Sequence, residues 1–475
     1  MSPLHRSVVM GLIAMLLLGV GLLQWQHSSA ISGMEWVYLA LVGNGLLLLL
    51  PVIFNRPSFG WLHPLVFTLF FATLDHVRRF DVYINGLPWH TALPGWSSDS
   101  LTILLIRDLV LQAVGTAAIY IGFFLGPKIE LPNIQFQQPT LLEKKTVATV
   151  GVAVGIFAVY MQTRGGITNH ILSWGAGRNT ALAGSFYWQF FTQMGLIACL
   201  SWLTMDRRST SNPIFWGCTT TSLMMAFLVG GSRSSVIYFM AMGLLAWLLR
   251  EQKIAVMRIV ALSLVGLFVL GGLGNLRDST YDGQINWNVL WGASAETTSD
   301  ESTLGTSLSE LSERSSVHAG VFPILGLVPN QVDYLYGSSY MAVLTLPVPR
   351  ALWPEKPGLV AGRVGETFFN SNFGIPPGAV GEAYWNFGVP GVLIAFSLFG
   401  AFQKILANTF IRYAHQPAAI VPYVITLFLF SGPSGLSAIS WLMMLVPTLA
   451  YLIGIGALRV LLQGAGSQSG NTFFP

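Results

Sequence analysis

Long apolar runs, separated by polar segments that are mostly short, dominate this chain. A helix that crosses the hydrocarbon core of a bilayer needs about 20 mostly apolar residues. Runs of roughly that length occur at residues 7–25, 36–54, 57–74, 104–125, 146–162, 186–205, 213–229, 234–249, 254–274, 386–406, 418–430 and 436–458. The pattern predicts an all-α polytopic integral membrane protein with about 12 transmembrane helices.

The run at 57–74 is the weakest of these, because it is short and contains two prolines and His63. Whether it crosses the bilayer completely stays open. We expect the whole chain, residues 1–475, to form one membrane domain. Its tail at 464–475 is rich in Gly and Ser, which predicts a flexible end.

Two segments between the runs are long enough to build structure of their own, residues 163–185 and residues 275–385. The larger one opens with an acidic stretch, turns apolar through 321–328 and ends rich in Gly and Pro. A loop of that length rarely lacks secondary structure. We therefore expect short amphipathic helices in it, lying at the membrane surface over a cavity.

Composition supports the membrane class and excludes others. The chain is 53% hydrophobic and 9% charged, whereas soluble domains carry about 25% charged residues. A net charge of +4 is too small to indicate a nucleic-acid partner. Lys and Arg accumulate in short cytoplasmic loops, and one set fits that rule: Arg6, Arg56, Lys128, Lys144, Lys145, Arg207, Arg208, Arg250, Lys253, Arg258, Lys404, Arg412 and Arg459. Both termini are therefore expected in the cytoplasm.

The remaining basic residues fall on the opposite side and are nearly all arginine. They are Arg78, Arg79, Arg107, Arg164, Arg178, Arg233, Arg277, Arg314, Arg350, Lys356 and Arg363. Positive charge on the outer side opposes the usual bias. Arginine is also the side chain that grips phosphate through two parallel hydrogen bonds. The outer set therefore predicts an anionic partner, such as a lipid-linked phosphate.

A Gly-Gly-Ser-Arg-Ser-Ser sequence at 230–235 joins the seventh and eighth runs. Two glycines, a capping serine and a following helix start with Arg233 fit an anion site. They fit equally a capped hairpin in which Arg233 reaches lipid headgroups. Arg164 and Arg178, each beside glycine in the smaller outer loop, add weaker signals of the same kind.

Four prolines between residues 347 and 357 make a stiff, non-helical segment. Such a segment can hold Arg350, Lys356 and Arg363 in fixed positions with little loss of conformational entropy. Attraction of these side chains to anionic lipid headgroups explains the same pattern.

A Gly- and Pro-rich sequence at 375–388 leads into the tenth run through Glu382, Tyr384 and Asn386. A carboxylate at a membrane boundary beside hydrogen-bonding side chains fits a general base. It also fits a carboxylate favoured by the dipole at its own helix start, with Tyr and Trp forming an interfacial belt. Glu366 is a second acid, more typical of a salt-bridge partner for Arg363.

Arg107 and Asp108 in the fourth run are interpreted as a neutralised pair inside the membrane, and we leave them out of the site. The chain contains no Gly-x-x-x-x-Gly-Lys loop, no His-Glu-x-x-His helix and no Asp-x-Asp pair. We therefore expect a reaction that uses no nucleotide, no metal and no other cofactor.

The motifs together resemble a known family. Leu-Pro-Val-Pro-Arg and Trp-Pro-Glu-Lys-Pro within 346–357, followed by Pro-Pro-Gly and Gly-Glu-Ala-Tyr-Trp-Asn-Phe-Gly within 376–388, resemble the bacterial oligosaccharide repeat-unit polymerases, the Wzy-type O-antigen polymerases. Gly-Ser-Arg at 231–233 and Arg-Gly-Gly at 164–166 are similar to further family features. The likeness covers residues 164–391 in pieces, and the first four runs are similar only in hydropathy.

The resemblance implies a glycosyltransferase of the bacterial inner membrane whose active site faces the periplasm. Such enzymes move a growing glycan from undecaprenyl diphosphate onto the next lipid-linked repeat unit. Glu382, Arg233 and Arg350 would be the catalytic residues. The diphosphate and substrate would be bound by Arg164, Arg178, Arg233, Arg277, Arg350, Lys356, Arg363, Tyr384 and Asn386. Implied partners are lipid-linked oligosaccharides, membrane lipids, a chain-length regulator and a flippase.

Two other functions stay open at this point. An O-antigen ligase, which transfers finished glycan to the lipid A core, would share an arginine-lined outer cavity. A secondary transporter or flippase also suits 12 spans, but transporters usually show two matching halves with broken helices at the midplane. Here the larger loop divides the predicted spans nine and three.

Overall fold

The computed structural model describes residues 40–48, 62–73, 98–129, 134–176, 186–230, 233–251, 320–345, 348, 352–353, 355–371, 374–413 and 415–460. Residues 40–48 are helical. The other principal helices of these ranges are α1 (Pro64–Thr73), α2 (Ser98–Leu125), α3 (Leu142–Thr163), α4 (Ile167–Leu172), α5 (Phe186–Met205), α6 (Pro213–Gly230), α7 (Arg233–Glu251), α8 (Val321–Leu327), α9 (Ser338–Thr345), α10 (Val360–Phe369), α11 (Gly378–Tyr413), α12 (Pro417–Leu429) and α13 (Gly435–Gly454). Two short strands accompany them, β1 (Ile134–Phe136) and β2 (Leu458–Val460).

Five helices in the described part of the chain are long and apolar enough to cross a membrane, namely α3, α6, α11, α13 and the Ile103–Leu125 part of α2. Helices α1 and α12 are apolar but shorter. The all-α membrane class predicted from the apolar runs is confirmed at this level. The number of 12 spans stays a prediction, since the runs at 7–25 and 254–274 lie outside the described residues.

Prolines and small polar residues set several helix boundaries. Pro213 occupies the start of α6, where its missing N–H costs nothing. Asn212 just before it accepts a hydrogen bond from the Ile214 N–H at 2.9 Å, as an N-cap does. Ser434 caps α13 in the same way through the Ser437 N–H at 3.1 Å.

Basic side chains close several helix C-termini at one end of the bundle, which we call the basic end. Lys404 Nζ donates to the Gly126 carbonyl after α2 at 2.6 Å, and Lys145 Nζ donates to the Ile455 carbonyl after α13 at 2.8 Å. Arg250 donates to the Asp206 carbonyl after α5 at 3.1 Å. A cation at this position satisfies free carbonyls and complements the helix dipole.

Helix polarity fixes which termini lie at the opposite end, which we call the open end. α2 and α11 run parallel, because Gly126 contacts Lys404 near their C-termini and Arg107 contacts Tyr384 near their N-termini. At the other end of α3 from Lys145, the Tyr160 ring packs against Trp188 at the start of α5. The starts of α2, α5, α11 and α13 therefore all lie at the open end.

The short helices between α7 and α11 differ in character. In α8 the side chains of Val321, Phe322, Ile324 and Leu325 are all buried, and the helix packs against α2 and α11. α8 is therefore buried by its neighbours and is not a helix with one exposed face, while the position of the loop relative to the membrane surface stays a prediction.

Two boundaries also differ from the predictions. α11 begins at Gly378, inside the segment 275–385 predicted as a loop, because a short helix precedes the span proper. The last run, predicted to end at 458, ends as a helix at Gly454. Residues beyond it pair antiparallel with β1, Ile134 opposite Val460, so a small two-stranded sheet closes the basic end.

Candidate functional site

A break in α11 organises the site. Phe387 (φ −147°, ψ 20°) and Gly388 (φ 66°, ψ −148°) leave the helical conformation and divide α11 into a short arm, residues 378–386, and a long arm, residues 389–413. Gly388 adopts a backbone region that is essentially confined to glycine. The carbonyl of Trp385, freed by the break, accepts from the Leu335 N–H at 2.9 Å.

The break lies close to the open end. At about 1.5 Å per residue the long arm extends for roughly 37 Å, which exceeds the ~30 Å hydrocarbon core of a bilayer. The short arm is therefore not needed to cross the membrane. It carries Glu382, Tyr384 and Asn386, three residues that sequence reasoning placed in the site.

Glu382 is buried, with 1% of its surface exposed, and both carboxylate oxygens accept hydrogen bonds. The Ser339 hydroxyl donates to Oε1 at 2.8 Å, and the Gly435 N–H donates to Oε2 at 2.9 Å. Gly435 is the first residue of α13, so the negative charge lies at the positive end of that helix dipole. One of the two interpretations placed the carboxylate at the start of its own helix. In the structure it instead complements the start of α13.

Asn386 completes this network and is itself fully buried. Its Nδ2 donates to Ser339 Oγ at 2.8 Å, and its Oδ1 accepts from the Gly337 N–H at 2.9 Å. The polar side-chain atoms of Glu382, Ser339 and Asn386 therefore all have partners, as most buried polar groups do. The cluster fastens the turn at 337–339, which begins α9, to the short arm of α11.

Arg363 of α10 approaches the same turn. Its Nη1 donates to the Ser338 hydroxyl at 2.8 Å, and its guanidinium lies over the Trp385 ring at 5.9 Å from the centroid. Burial lowers the pKa of the guanidinium from its usual value, while the nearby charge of Glu366 raises it. The group stays protonated in proteins, so Arg363 brings a fixed positive charge to the cluster.

Arg107 of α2 contacts the other side of the short arm. It donates to the Tyr384 hydroxyl and to the Leu325 carbonyl of α8 at 2.6 Å, and it lies over the Tyr384 ring. Asp108 accepts instead from Gln112 Nε2 at 2.7 Å. The side chains of Arg107 and Asp108 thus form hydrogen bonds with different partners, as adjacent residues of a helix usually do, and the interpretation of a neutralised pair stays a prediction.

Tyr340 lies beside the Glu382 carboxylate in α9. Burial raises the pKa of its phenol above the usual value, and the charge of Glu382 raises it further. Tyr340 therefore stays protonated at neutral pH, and it offers a donor but no negative charge.

Arg164 lies at the open end in a different part of the bundle. Its guanidinium stacks over Tyr160 at 5.3 Å. Gly165 and Gly166 have positive φ angles and end α3, since the Gly166 N–H donates to the Met161 carbonyl at 2.8 Å. The Arg-Gly-Gly motif is therefore a helix C-cap in this structure, whatever Arg164 itself binds.

A buried histidine stands beside that cap. His170 Nε2 lies 2.8 Å from the Leu228 carbonyl, and the ring packs edge-on to Tyr160 and Trp174. The pKa of His170 is lowered from its usual value, mainly by burial and to a smaller extent by the positive charge of Arg164. The hydrogen bond with the Leu228 carbonyl opposes this shift but does not cancel it. His170 is thus a neutral part of the packing, with Nε2–H donating to the carbonyl.

The remaining predicted residues are placed as follows. Lys356 Nζ donates to the Val348 carbonyl at 3.0 Å, so it helps to tie down the proline-rich stretch. Arg178, Arg277, Arg350 and the side chain of Arg233 lie outside the described residues. Within the described ranges no three His, Cys, Asp or Glu side chains come together as a metal site would need.

The structure thus brings together Glu382, Asn386 and Arg363 of the predicted set, and it places Tyr384 on the other side of the short arm against Arg107. It adds Ser338, Ser339 and Gly435 to the cluster, and Arg107 beside Tyr384. Of these four, only Arg107 could have been recognised in the sequence, as an arginine near one end of an apolar helix. The chain matches no protein-family model, and searches of curated proteins and solved structures return no match either. The likeness to the repeat-unit polymerases therefore stays a prediction from the motifs.

Proposed function

We propose that this protein polymerises undecaprenyl-diphosphate-linked oligosaccharide units at the periplasmic face of a bacterial inner membrane. The growing glycan is transferred onto a new lipid-linked unit, and polyprenyl diphosphate leaves. One observation carries the proposal: the guanidinium groups of Arg363 and Arg107 both reach the short arm of α11, at the end of the bundle opposite the basic helix caps.

The chemistry suits such a site. A sugar bonded to a diphosphate is already activated, so the transfer needs neither ATP nor a nucleotide sugar. The barrier comes from negative charge that grows on the departing diphosphate. Fixed donors that face this charge stabilise the transition state, and loss of one donor costs roughly 3 kcal/mol in comparable oxyanion sites.

The surroundings of Arg363 favour this use. A hydrogen bond to Ser338 and an aromatic ring below it fix the direction of the guanidinium, so little entropy is lost when an anion binds. Arg363 is half-buried, and a partly dry setting strengthens each interaction with phosphate. Arg233 and Arg350 are proposed to join it on the strength of their motifs alone.

The proposal is tested with the purified protein in lipid nanodiscs and one defined lipid-linked repeat unit. The expected product is a ladder of longer lipid-linked glycans, absent for Arg363→Ala, Arg350→Ala and Arg233→Ala. Arg363→Lys should restore little, because an ammonium cannot form the bidentate contact. Cells without the activity should display glycan capped by a single repeat unit.

Other outcomes would overturn the proposal. Transfer only to a lipid A core acceptor would make the protein a ligase, and movement of lipid-linked units across vesicles without bond formation would make it a flippase. Ladders of normal length from all three arginine variants would exclude the diphosphate clamp.

A further inference from the structure

The position of Glu382 does not suit a general base. A base must come within about 3 Å of the proton that it removes, directly or through one water. Both oxygens of Glu382 instead accept hydrogen bonds from this chain, and only 1% of the surface of the residue is exposed. A Cβ at Gly435 would lie 2.7 Å from Oε1, so the carboxylate is also closely confined.

The hydrogen bonds of Glu382 connect it indirectly to Arg363, through the turn at 337–339. Glu382 accepts from the hydroxyl of Ser339, and the adjacent residue, Ser338, accepts from Arg363 Nη1. Asn386 holds the same turn by bonds to Gly337 and to Ser339. One polar network therefore joins the start of α13, the short arm of α11, the turn at 337–339 and the guanidinium of α10.

We infer that Glu382 is a positioning residue that fixes the turn at 337–339, and through Ser338 the direction of the Arg363 guanidinium, and that it does not accept the proton of the attacking hydroxyl. The inference rests on the proposed function, in which Arg363 faces the lipid-linked diphosphate. In this role Glu382 holds the start of α9, through Ser339, against the start of α13, through Gly435.

Glu382→Gln separates the two roles. The amide oxygen of Gln can still accept from the Gly435 N–H, and its nitrogen can donate to Ser339 Oγ, which then turns its own hydrogen away. The geometry is kept while the titrating carboxylate is lost. A positioning role predicts a fall in kcat of less than about 10-fold, whereas loss of a general base costs about 100- to 10,000-fold.

Ser339→Ala tests the link itself. It removes the hydroxyl that connects Glu382 to the turn, so the Arg363 guanidinium loses its fixed direction. We expect kcat/KM for the lipid-linked substrate to fall several-fold, mainly through kcat, because a misdirected guanidinium stabilises the departing diphosphate less well. The residual rate of a single transfer, too slow to build a ladder, should be the same in Arg363→Ala and in a double variant that adds Ser339→Ala, because residues that act through one another are not additive.

The experiment measures initial rates from pH 5 to 9 in nanodiscs for the wild type, Glu382→Gln, Ser339→Ala and the double variant. Glu143→Gln, the same change at an exposed residue of the basic end, is the control and should match the wild type. Glu382→Gln should keep the shape of the wild-type pH profile. If Glu382→Gln loses the acidic limb of the pH–rate profile, or if its kcat falls more than 100-fold with KM unchanged, Glu382 is the general base and the inference is overturned.

A second readout does not depend on turnover. Hydrogen exchange of peptides that cover residues 335–345 should quicken in Ser339→Ala and stay slow in Glu143→Gln. Unchanged exchange in Ser339→Ala would show that the network does not hold the turn, and so would sink the inference even in an inactive protein. An inactive wild type with this exchange pattern would instead count against the proposed function alone.

Discussion

At the scale of single residues, the most informative side chains are those whose partners come from distant parts of the chain. Glu382, Tyr384, Asn386 and Arg363 were recognisable in the sequence because acidic, aromatic and basic residues stand beside Gly and Pro at a membrane boundary. Ser338, Ser339 and Gly435 were not, since nothing local marks a serine or a glycine that will meet Glu382. Only the packing of α9 and α13 against α11 creates these partnerships.

Arg107 offers a test at this scale. Its guanidinium is oriented by Tyr384 and Leu325 while the residue stays exposed, so an anionic headgroup can still reach it. We expect Arg107→Ala to lower kcat/KM for the lipid-linked substrate by about 100-fold, the effect of losing one fixed anion donor.

The chain supplies a matched control for that change. Arg412 also lies over a tyrosine ring, that of Tyr413 at 5.7 Å, but at the basic end. Arg412→Ala should leave the rate unchanged. Equal rates for Arg107→Ala and Arg412→Ala would remove Arg107 from the binding site.

At the scale of elements, apolar run length predicted most boundaries well. The run at 186–205 coincides with α5, and that at 213–229 differs from α6 by one residue. Agreement is good because lipid offers no hydrogen-bond partners. A long apolar segment in a bilayer must pair its backbone N–H and C=O groups internally, which favours a continuous helix. The break in α11 was missed because Phe-Gly-Val-Pro within an apolar run fits either a kinked or an interrupted helix.

The crossing of α2 and α11 is close, and it depends on glycine. A Cβ at Gly122 would lie 1.9 Å from the Ser397 carbonyl oxygen, and one at Gly400 would lie 2.1 Å from that of Ile119. Small residues at such contacts let membrane helices approach closely. Since α2 carries Arg107 and α11 carries the short arm, this crossing also sets the distance between them.

Gly122→Ala should therefore lower the melting temperature in detergent and reduce activity, because backbone atoms must move apart. Overpacking of this kind costs roughly 1–3 kcal/mol. Gly151→Ala in α3 is the control, as a Cβ there meets nothing within 4 Å, and it should be neutral or slightly stabilising. A Gly122→Ala protein as stable as Gly151→Ala would contradict the close crossing.

At the scale of the whole molecule, the two ends of the bundle differ in chemistry. Lysine and arginine close helix C-termini at one end, while the other end carries the polar network and the arginines of the candidate site. The sequence predicted this asymmetry from loop charges alone. It did not predict the β1–β2 pair, because three-residue strands leave no recognisable pattern.

Orientation can be tested by labelling single cysteines with a membrane-impermeant maleimide, in a background where Cys199 and Cys218 are replaced. Glu366→Cys near the candidate site should react in intact cells with a permeabilised outer membrane. Glu143→Cys at the basic end should react only after the inner membrane is opened. The reverse order would place the candidate site in the cytoplasm and exclude a periplasmic polymerase.

The bond from Gly435 to Glu382 also has a consequence for biogenesis. Residues 337–386 leave the ribosome well before α13 does, so a nascent chain holds Glu382 without its second donor until the last of the described helices is inserted. Termination of translation before that point would leave the Glu382 carboxylate with Ser339 as a donor but without Gly435, and an incompletely bonded buried carboxylate is expected to mark such a chain for proteolysis. Maturation of this protein is therefore expected to finish in one late step, when residue 435 reaches its place.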